Sequence, residues 1–584
     1  MITNGNSSTK KDYSYLWKHE DYWAIWLGLT ILIIGLFVFF SSTPANMEAT
    51  IAKHNDTMAA EAQKAPFKTL EWYQASDAKS NLSVSNISVI KSFNEFASRP
   101  KGWSDNPISS VFMSDAEAKA KSVAAAGRYD AAKKATLAAL TDAKASQGAA
   151  AAAQFKDAAL NKVASDKIEN WRKTRSAESR ARSAAETKPY NLIPGMIVMC
   201  IGLALFFSVG IYVMGKPVSQ FLMGFPVVFL LAALSYFLAA NSNLRAWGLE
   251  YVLWAILLGF LISNTVGTPK WVLAAAQTEY YIKTGLVLLG SSILMGKMLL
   301  IGIPGIVVTW VVTPIVLIWT YWFGQNVVKM ESKELNITVS ADMSVSGVSA
   351  AIAAAAACRA KKEELTLAVG ISILFTAIMM VVMPMAIKAM GMHPVLGGAW
   401  IGGTVDSTGA VVAAGEMLGP VARDVAATIK MIQNMLIGVM AFCIAAYWCL
   451  RVDTSRACEA DLSFKSALWQ VWDRFPKFVL GFIGASFLFS MIHANMQPDL
   501  ADIVIDKGVI RNMVAHLQAW FFAMAFVSIG LSTDFRELGK YFKGGKPVIL
   551  YVVGQSFNLV LTLTVAYIMF FLVFPEITAK LVGK

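Results

Sequence analysis

Polar residues interrupt an apolar stretch between Ser340 and Ala350 in a pattern that could bind an anion. An alanine-rich run, residues 350–357, follows directly. Small hydroxylated residues just before a helical run suit a helix N-terminus inside the membrane, where free N–H groups and the helix dipole favour an anion. The alternative is close helix packing, with the hydroxyls bonded back to their own helix. The candidate binding residues here are Ser344, Ser346, Gly347 and Ser349, with Asp342 beside them.

A second interruption, residues 402–409, combines glycines with an ionisable group. A carboxylate at bilayer depth is costly unless it faces water, a cation or a partner. We therefore predict that Asp406, together with Asp342, couples transport to H⁺ or Na⁺. The alternatives are a salt bridge from Asp406 to a lysine and a close helix contact at the glycines. The neighbouring candidates for substrate binding are Thr404, Ser407 and Thr408.

Two lysines lie inside apolar stretches, each directly after an isoleucine: Lys283 and Lys430. Either could neutralise an anionic substrate or pair with a buried aspartate. Either could instead extend its ammonium group to the membrane surface, as lysines near helix ends do. Asn264, in the polar stretch at residues 263–269, completes the set of candidate binding residues.

The composition indicates the elements that must hold these residues. Of 584 residues, 56% are hydrophobic and only 15% are charged, against about 25% charged in soluble proteins. Apolar runs of about 20 residues, each long enough to cross a bilayer, recur along the chain. We therefore predict an all-α polytopic membrane protein with about 13 transmembrane helices. Its net charge of +12 is explained by basic loops on the inner side of the membrane, without a nucleic-acid partner.

No motif supports an enzyme. The five histidines and five cysteines show no HExxH or CxxC spacing, and the chain has no GxxxxGK[ST] or GxGxxG loop. These motifs carry zinc hydrolase, nucleotide hydrolase and dinucleotide chemistry. We therefore expect no catalysis, no metal and no cofactor.

The chain divides into segments of different character, with the N-terminus predicted to be cytoplasmic from loop charge. The apolar run at 23–40 is predicted to be an anchor helix, with a cleavable signal peptide as the alternative. The segment that follows it is Ala/Lys-rich, and its spacing predicts amphipathic helices outside the cytoplasm. The predicted segments are a polar N-terminus (1–22), the anchor (23–40), the polar helical segment (41–190), two accessory helices (191–244), a first five-helix unit (245–388) and a second (396–574).

The last ten predicted spans form two sets of five, and polar residues interrupt the two sets at matching places. Each set begins with a glycine-containing polar stretch, and each carries an Ile-Lys pair in its second span. Five crossings are an odd number, so the second unit is predicted to be inverted relative to the first. Inverted repeats with interrupted helices are typical of secondary transporters, whose sites lie near the midplane.

Five stretches within residues 191–574 carry a family resemblance: YIKTGLVLLG (281–290), SVSGVSAA (344–351), GGTVDSTGAVVAAG (402–415), the residues 429–431 and AMAFVSIGL (523–531). With these stretches, residues 191–574 resemble the sulfate exporter family of YeiH-like bacterial inner-membrane proteins. The resemblance implies a ten-helix core with broken, crossed helices, around residues 338–358 and 513–532, and elevator-type movement. The family usually carries arginine where this chain has Ser292 and Gln433, and cysteine at Ser346.

The expected function is secondary active transport of a small anion, namely sulfate, sulfite, a sulfonate or a carboxylate, across the bacterial cytoplasmic membrane. The expected partners are that anion, H⁺ or Na⁺, membrane lipid and a second copy in a homodimer. One alternative is a monovalent cation/proton antiporter of the same fold. Another is a membrane assembly or sensor protein that does not transport and whose polar segment binds a partner.

Overall fold

The computed structural model describes residues 15–84, 88–247, 249–452, 472, 475–538 and 545–582. Most of the predicted polar N-terminus therefore lies outside the described residues. The protein is an all-α polytopic membrane protein, as predicted. Eight helices in the described ranges are long and apolar enough to cross a bilayer: Glu20–Ser41, Ile193–Val213, Val218–Ala239, Met295–Asn326, Lys362–Ala389, Pro420–Val452, Pro498–Ser532 and Lys546–Val573.

Shorter apolar helices complete the membrane part. Tyr251–Thr265, Thr278–Ser292 and Phe478–Ala494 have 15 to 17 residues each. The long helices turn large apolar side chains outward; Leu205 in Ile193–Val213, for example, is 57% exposed. Such side chains suit hydrocarbon, and the helices satisfy their backbone groups internally. Short helices join or end these elements at Tyr15–Lys18, Ser242–Ala246, Lys270–Leu273, Phe535–Leu538 and Pro575–Leu581.

The polar segment is helical, as predicted, and packs on the membrane helices. Trp103 Nε1 donates to the carbonyl of Phe237 at 2.8 Å, and Trp520 Nε1 donates to the carbonyl of Ala97 at 3.1 Å. Its last two helices are long and pack against each other as a stalk. A two-residue strand, Phe112–Met113, pairs antiparallel with Tyr190–Asn191. The helices are Met47–Lys64, Leu70–Ser80, Ser88–Phe96, Asp115–Ala152 and Ala158–Ala185.

The anchor helix, Glu20–Ser41, defines two faces of the membrane part. Glu20 begins this helix at one face, which we call the Glu20 face. The polar segment follows Ser41 at the opposite face, which we call the polar-segment face. Each helix that spans the membrane carries the chain to the other face. Met295–Asn326 is the fifth such helix after the polar segment, so it ends at the Glu20 face, where the next segment begins.

Residues 333–358 fold into a hairpin that enters the membrane and returns. Cys358 Sγ lies 3.8 Å from Thr338 Oγ1 and 3.9 Å from the carbonyl oxygen of Glu334. In a straight helix, 20 residues rise about 30 Å, so this contact requires the chain to turn back. We call this element hairpin 1. It has a first arm Lys333–Ala341, a tip at residues 342–347 and a second arm Val348–Cys358, and both its ends lie at the Glu20 face.

Residues 394–416 form a second hairpin, which enters from the polar-segment face. A Cβ placed on Gly398 would lie 3.0 Å from Ala422 Cα, and one placed on Gly415 would lie 2.9 Å from Arg423 Cα. The two glycines thus sit side by side on the same turn of helix Pro420–Asn434, although 17 residues of straight helix span about 26 Å. This element is hairpin 2. Its arms are Pro394–Thr404 and Thr408–Glu416, and its tip is residues 405–407.

These hairpins correct the prediction in two respects. The predicted spans at 338–358 and 396–417 enter the membrane without crossing it. The predicted second break, at 513–532, is wrong, because Ala515–Ser532 is a continuous helix. Its buried residues are mostly apolar, including Phe521, Phe522 and Phe526, and offer few donors for open backbone carbonyls. Hairpin 1 is the fourth segment of the first predicted unit and hairpin 2 is the first of the second, so the hairpins do not occupy equivalent places. The division at 245–388 and 396–574 stays a prediction.

The turn in hairpin 1 can be tested by cross-linking. A Thr338→Cys variant should form a disulfide with Cys358 under mild oxidation, because the present side-chain atoms are only 3.8 Å apart. Peptide mass spectrometry without reductant would detect the linked peptides. Cysteine placed instead at Ile352, which is 53% exposed, should not link to Cys358. A Thr338→Cys protein that stays reduced while its other properties are normal would contradict the hairpin.

Candidate functional site

The tips of the two hairpins meet in the interior of the membrane part. Gly347 has φ +62° and ψ −132°, a conformation open to glycine and strained for other residues. A Cβ at this glycine would lie 3.1 Å from Asp406 Cβ. Glycine therefore permits both the turn of hairpin 1 and its close approach to hairpin 2.

Side-chain donors satisfy the carbonyl groups that the first arms leave open at the tips. Lys430 Nζ donates to the carbonyl of Val345 and to Gln433 Oε1, both at 2.8 Å. Gln433 Nε2 in turn donates to the carbonyls of Ser344 at 3.1 Å and of Gly403 at 3.2 Å. Gln433, at a position where relatives are expected to have arginine, thus joins the tip of hairpin 1 to the end of the first arm of hairpin 2. Irregular backbone at membrane depth is stable only with partners of this kind.

The N-termini of both second arms face one cavity of about 710 Å³. Ser346, Ser349, Ser407 and Thr408 line it from the hairpin side. Ser349 is exposed to the cavity, whereas the Ser346 hydroxyl is buried and has no hydrogen-bond partner among the described residues. Glu20 lines the opposite wall, so the cavity reaches from the Glu20 face to the tips.

Asp406 is buried at the tip of hairpin 2 and accepts hydrogen bonds from three hydroxyl groups. Tyr551 Oη donates to its Oδ2, as do Ser372 Oγ at 3.3 Å and Thr376 Oγ1 at 3.4 Å. These donors come from two separate helices, Lys362–Ala389 and Lys546–Tyr567. Within the described ranges, these three hydroxyl groups stabilise the carboxylate in place of a direct salt bridge.

Asp342, at the start of the other tip, has a different environment. It is fully buried, and neither carboxylate oxygen has a hydrogen-bond partner among the described residues. The charged groups that face it are Asp406 and Lys430. The predicted salt bridge between Lys430 and a buried aspartate is not formed within the described part of the chain, since the ammonium group bonds to Val345 and Gln433 instead.

Ten of the twelve candidate residues come together at the two tips. Two of their hydroxyls bond back to their own helix, as the packing alternative required: Thr404 Oγ1 donates to the carbonyl of Trp400 at 2.6 Å, and Ser344 Oγ to that of Ala341 at 3.4 Å. The ten are Asp342, Ser344, Ser346, Gly347, Ser349, Thr404, Asp406, Ser407, Thr408 and Lys430.

Asn264 lies away from the tips, which corrects its assignment. Its Nδ2 donates to the carbonyl of Thr533 at 3.1 Å, and its Oδ1 accepts from the backbone N–H of Phe535 at 2.6 Å. The side chain thus closes the C-terminal end of helix Ala515–Ser532. Its role in the structure is to join helix Tyr251–Thr265 to that end, where Gly259 and Gly530 also approach closely.

Lys283 lines the cavity, but on the wall opposite the tips. Its Nζ lies 2.8 Å from Glu20 Oε1 and 2.9 Å from Asp21 Oδ1, both on the anchor helix, and 3.5 Å from Glu279 Oε2. The prediction that it pairs with Asp406 or Asp342 is therefore wrong. Three carboxylates already surround its charge, so a substrate anion would compete with them.

The sequence analysis missed the polar residues that support the tips from neighbouring helices. Tyr551, Gln555, Asn558 and Thr562 recur every three or four residues, so they share one face of helix Lys546–Tyr567. Gln555 Nε2 donates to the carbonyl of Thr404 at 2.7 Å, and Asn558 Nδ2 to that of Met343 at 3.3 Å. A polar stripe inside an apolar span is a signal that could have identified them.

Comparison with known proteins places the chain in a family. The family model described as conserved hypothetical protein 698 matches residues 223–551. The chain belongs to this family. A UPF0324 membrane protein of Nitratidesulfovibrio vulgaris is 52% identical over 569 residues, which are 97% of each chain. One of Rhodopirellula baltica is 54% identical over 387 residues, 66% of this chain and 69% of its own.

The family includes the UPF0324 inner membrane protein YeiH of Escherichia coli K12. It is 27% identical over 307 residues, which are 51% of this chain and 80% of YeiH. The resemblance to YeiH-like membrane proteins is thus confirmed. The match to the Nitratidesulfovibrio protein also extends through the polar segment, which the resemblance did not cover. No solved structure matches the chain.

Proposed function

We propose that this protein is a secondary active transporter of a small anion. The observation that carries the proposal is that the N-termini of two half-helices, the second arms of the hairpins, line one cavity. The first backbone N–H groups of a helix have no partner within the helix, and in hairpin 2 Ser407 Oγ accepts from one of them, that of Ala410, at 3.1 Å. The others, together with the positive end of each helix dipole, favour an anion. The serine and threonine hydroxyls beside them supply further donors.

The proposed substrates are sulfate, sulfite, sulfonates and carboxylates. Gln433 stands in place of an arginine, so recognition rests on N–H and hydroxyl donors rather than on a guanidinium group. The site carries two buried aspartates and a lysine, which support coupling to H⁺ or Na⁺.

Alternating access would follow an elevator-type movement. The hairpin tips form one wall of the cavity. The helices that pack with the anchor helix and the polar segment, including Thr278–Ser292, form the other wall. Sliding the hairpins past this second wall would expose the tips to the polar-segment face. With the N-terminus in the cytoplasm, the present cavity would open inward, at the cytoplasmic membrane.

The proposal is tested by transport into proteoliposomes. Purified protein should accumulate at least one of labelled sulfate, sulfite, methanesulfonate or acetate when a proton or sodium gradient is imposed, whereas empty liposomes should not. No accumulation of any of the four anions, with Na⁺- or K⁺-driven proton flux instead, would favour the cation/proton antiporter and overturn the proposal.

A Ser349→Asp variant tests where the anion binds. The new carboxylate would lie in the first turn of the second arm, where a negative charge stabilises the helix. Like charges a few ångströms apart repel by about 4 kcal/mol near a protein surface, so the initial uptake rate should fall by at least about tenfold. Ser183→Asp, an exposed position on the stalk, is the matched control and should transport normally. Equal rates in both variants would exclude this anion site.

A further inference from the structure

We propose that the coupling ion is a proton and that Asp342, at the tip of hairpin 1, carries it. This inference rests on the proposed anion transport. It starts from the contrast between the two buried aspartates, which lie on opposite hairpins and face each other together with Lys430.

The groups around Asp342 decide which aspartate holds the proton. Two neighbouring buried carboxylates do not both ionise readily. Asp406 receives hydrogen bonds from Tyr551, Ser372 and Thr376, all of which stabilise its charged form. Neither oxygen of Asp342 has a bonded partner among the described residues, and the one hydroxyl group near it, that of Ser372, already donates its hydrogen to Asp406. A buried charge without donors is very costly. When the pair holds one proton, Asp342 therefore carries it and Asp406 is ionised.

The charge of Lys430 fits the same assignment. With Asp342 protonated, the negative charge of Asp406 and the positive charge of Lys430 cancel, and the buried cluster is neutral. Loss of the proton leaves one uncompensated negative charge in the interior. A proton can therefore be gained or lost at Asp342 while the charges of Asp406 and Lys430 continue to cancel each other.

The packing favours a proton over a sodium ion. Asp342 is fully buried and lines neither the 710 Å³ cavity nor a second cavity of about 240 Å³ that reaches Gly347 and Ser407. A sodium ion needs room for itself and several oxygen ligands, whereas a proton adds almost no volume. Ser346, four residues further along the tip, lines the larger cavity, and its buried hydroxyl has no partner in the part of the chain that the structure describes, so it is available to relay the proton.

Protonation of Asp342 also determines when the anion binds. Ser346 on the same tip and Ser349 at the start of the second arm line the cavity, so a negative charge on Asp342 would repel an anion there. The anion and the proton therefore bind together, and each strengthens the binding of the other. Anion affinity should rise as the pH falls, by up to about tenfold per pH unit for one linked proton.

Isothermal titration calorimetry of the purified full-length chain tests this coupling. Sulfate, sulfite, methanesulfonate and acetate are titrated at several pH values, in buffers of different ionisation enthalpy, to count the protons taken up with each anion. At pH values where Asp342 is ionised before the anion binds, wild-type protein should take up close to one proton per anion bound. Asp342→Asn should bind without proton uptake and with an affinity that no longer changes with pH. Asp342→Glu should restore proton uptake. The control is Asp499→Asn, which removes an aspartate that pairs with Lys79 of the polar segment, and it should behave as wild type.

Each outcome has a separate meaning. If no anion binds, the proposed function fails. If an anion binds but no proton is taken up, or if uptake persists in Asp342→Asn, the role of Asp342 is overturned while anion binding stands. Infrared difference spectra of the wild type need no variant: anion addition should increase the C=O band of a protonated carboxyl group, and its absence would also overturn the inference.

Discussion

Replacing Lys430 by methionine is expected to abolish transport and to lower the free energy of unfolding by about 3–5 kcal/mol, because it leaves Asp406 as an uncompensated buried charge. Lys430 is 1% exposed, so water cannot take over its role. The change also removes the donor to the carbonyl of Val345 and to Gln433 Oε1. Thermal unfolding in detergent and uptake in proteoliposomes measure the two effects.

A double-mutant cycle separates charge from packing. Adding Asp406→Asn to Lys430→Met removes both charges of the pair, so the double variant should regain much of the lost stability. It should still not transport. Lys580→Met, an exposed position near the C-terminus, is the matched control and should be unchanged in both assays. A double variant no more stable than Lys430→Met would show that the two charges are not coupled.

A Gly347→Ala variant is expected to reduce transport by about 100-fold, because a displacement of about 1 Å at the tip is enough to disrupt positioning. Alanine is strained at this positive φ, and its Cβ would press on Asp406 Cβ at 3.1 Å. The two tips must therefore separate slightly. Uptake rates, normalised to the amount of folded protein, would record the loss.

Gly391→Ala provides the control for backbone strain. Gly391 also has a positive φ, +61°, but it lies in a loop, and an added Cβ would meet no atom of the described residues within 4 Å. It should lose a comparable amount of stability and transport normally. If both variants lost transport equally, general destabilisation would explain the effect, and the contact between the tips would not.

Much of the candidate site could be predicted from polar residues inside apolar sequence. Asp342, Asp406 and Lys430 are costly in hydrocarbon wherever they lie, so their presence alone indicates a protein-lined interior. The glycine-rich interruptions likewise indicate irregular backbone. Because both signals depend on composition within a short window, they need no knowledge of partners distant in the chain.

The hairpins could not be predicted in the same way. Hydropathy measures how much apolar sequence is available, and residues 333–358 suffice to cross a bilayer. Whether the chain crosses or returns depends on what its second arm packs against, here Glu334 and Thr338 of the first arm. It also depends on donors from other helices, such as Lys430 and Gln433, that satisfy the open tip.

The two Ile-Lys pairs show most directly what local sequence cannot predict. Local sequence treats Lys283 and Lys430 alike, as buried charges that need partners. Lys283 finds its partner in Glu20, 263 residues earlier in the chain, whereas Lys430 bonds to the hairpin tip. The all-helical membrane fold and the burial of these charges could be predicted locally, since both follow from the cost of leaving water. Which charges belong to the site could not, because that depends on contacts between residues distant in the chain.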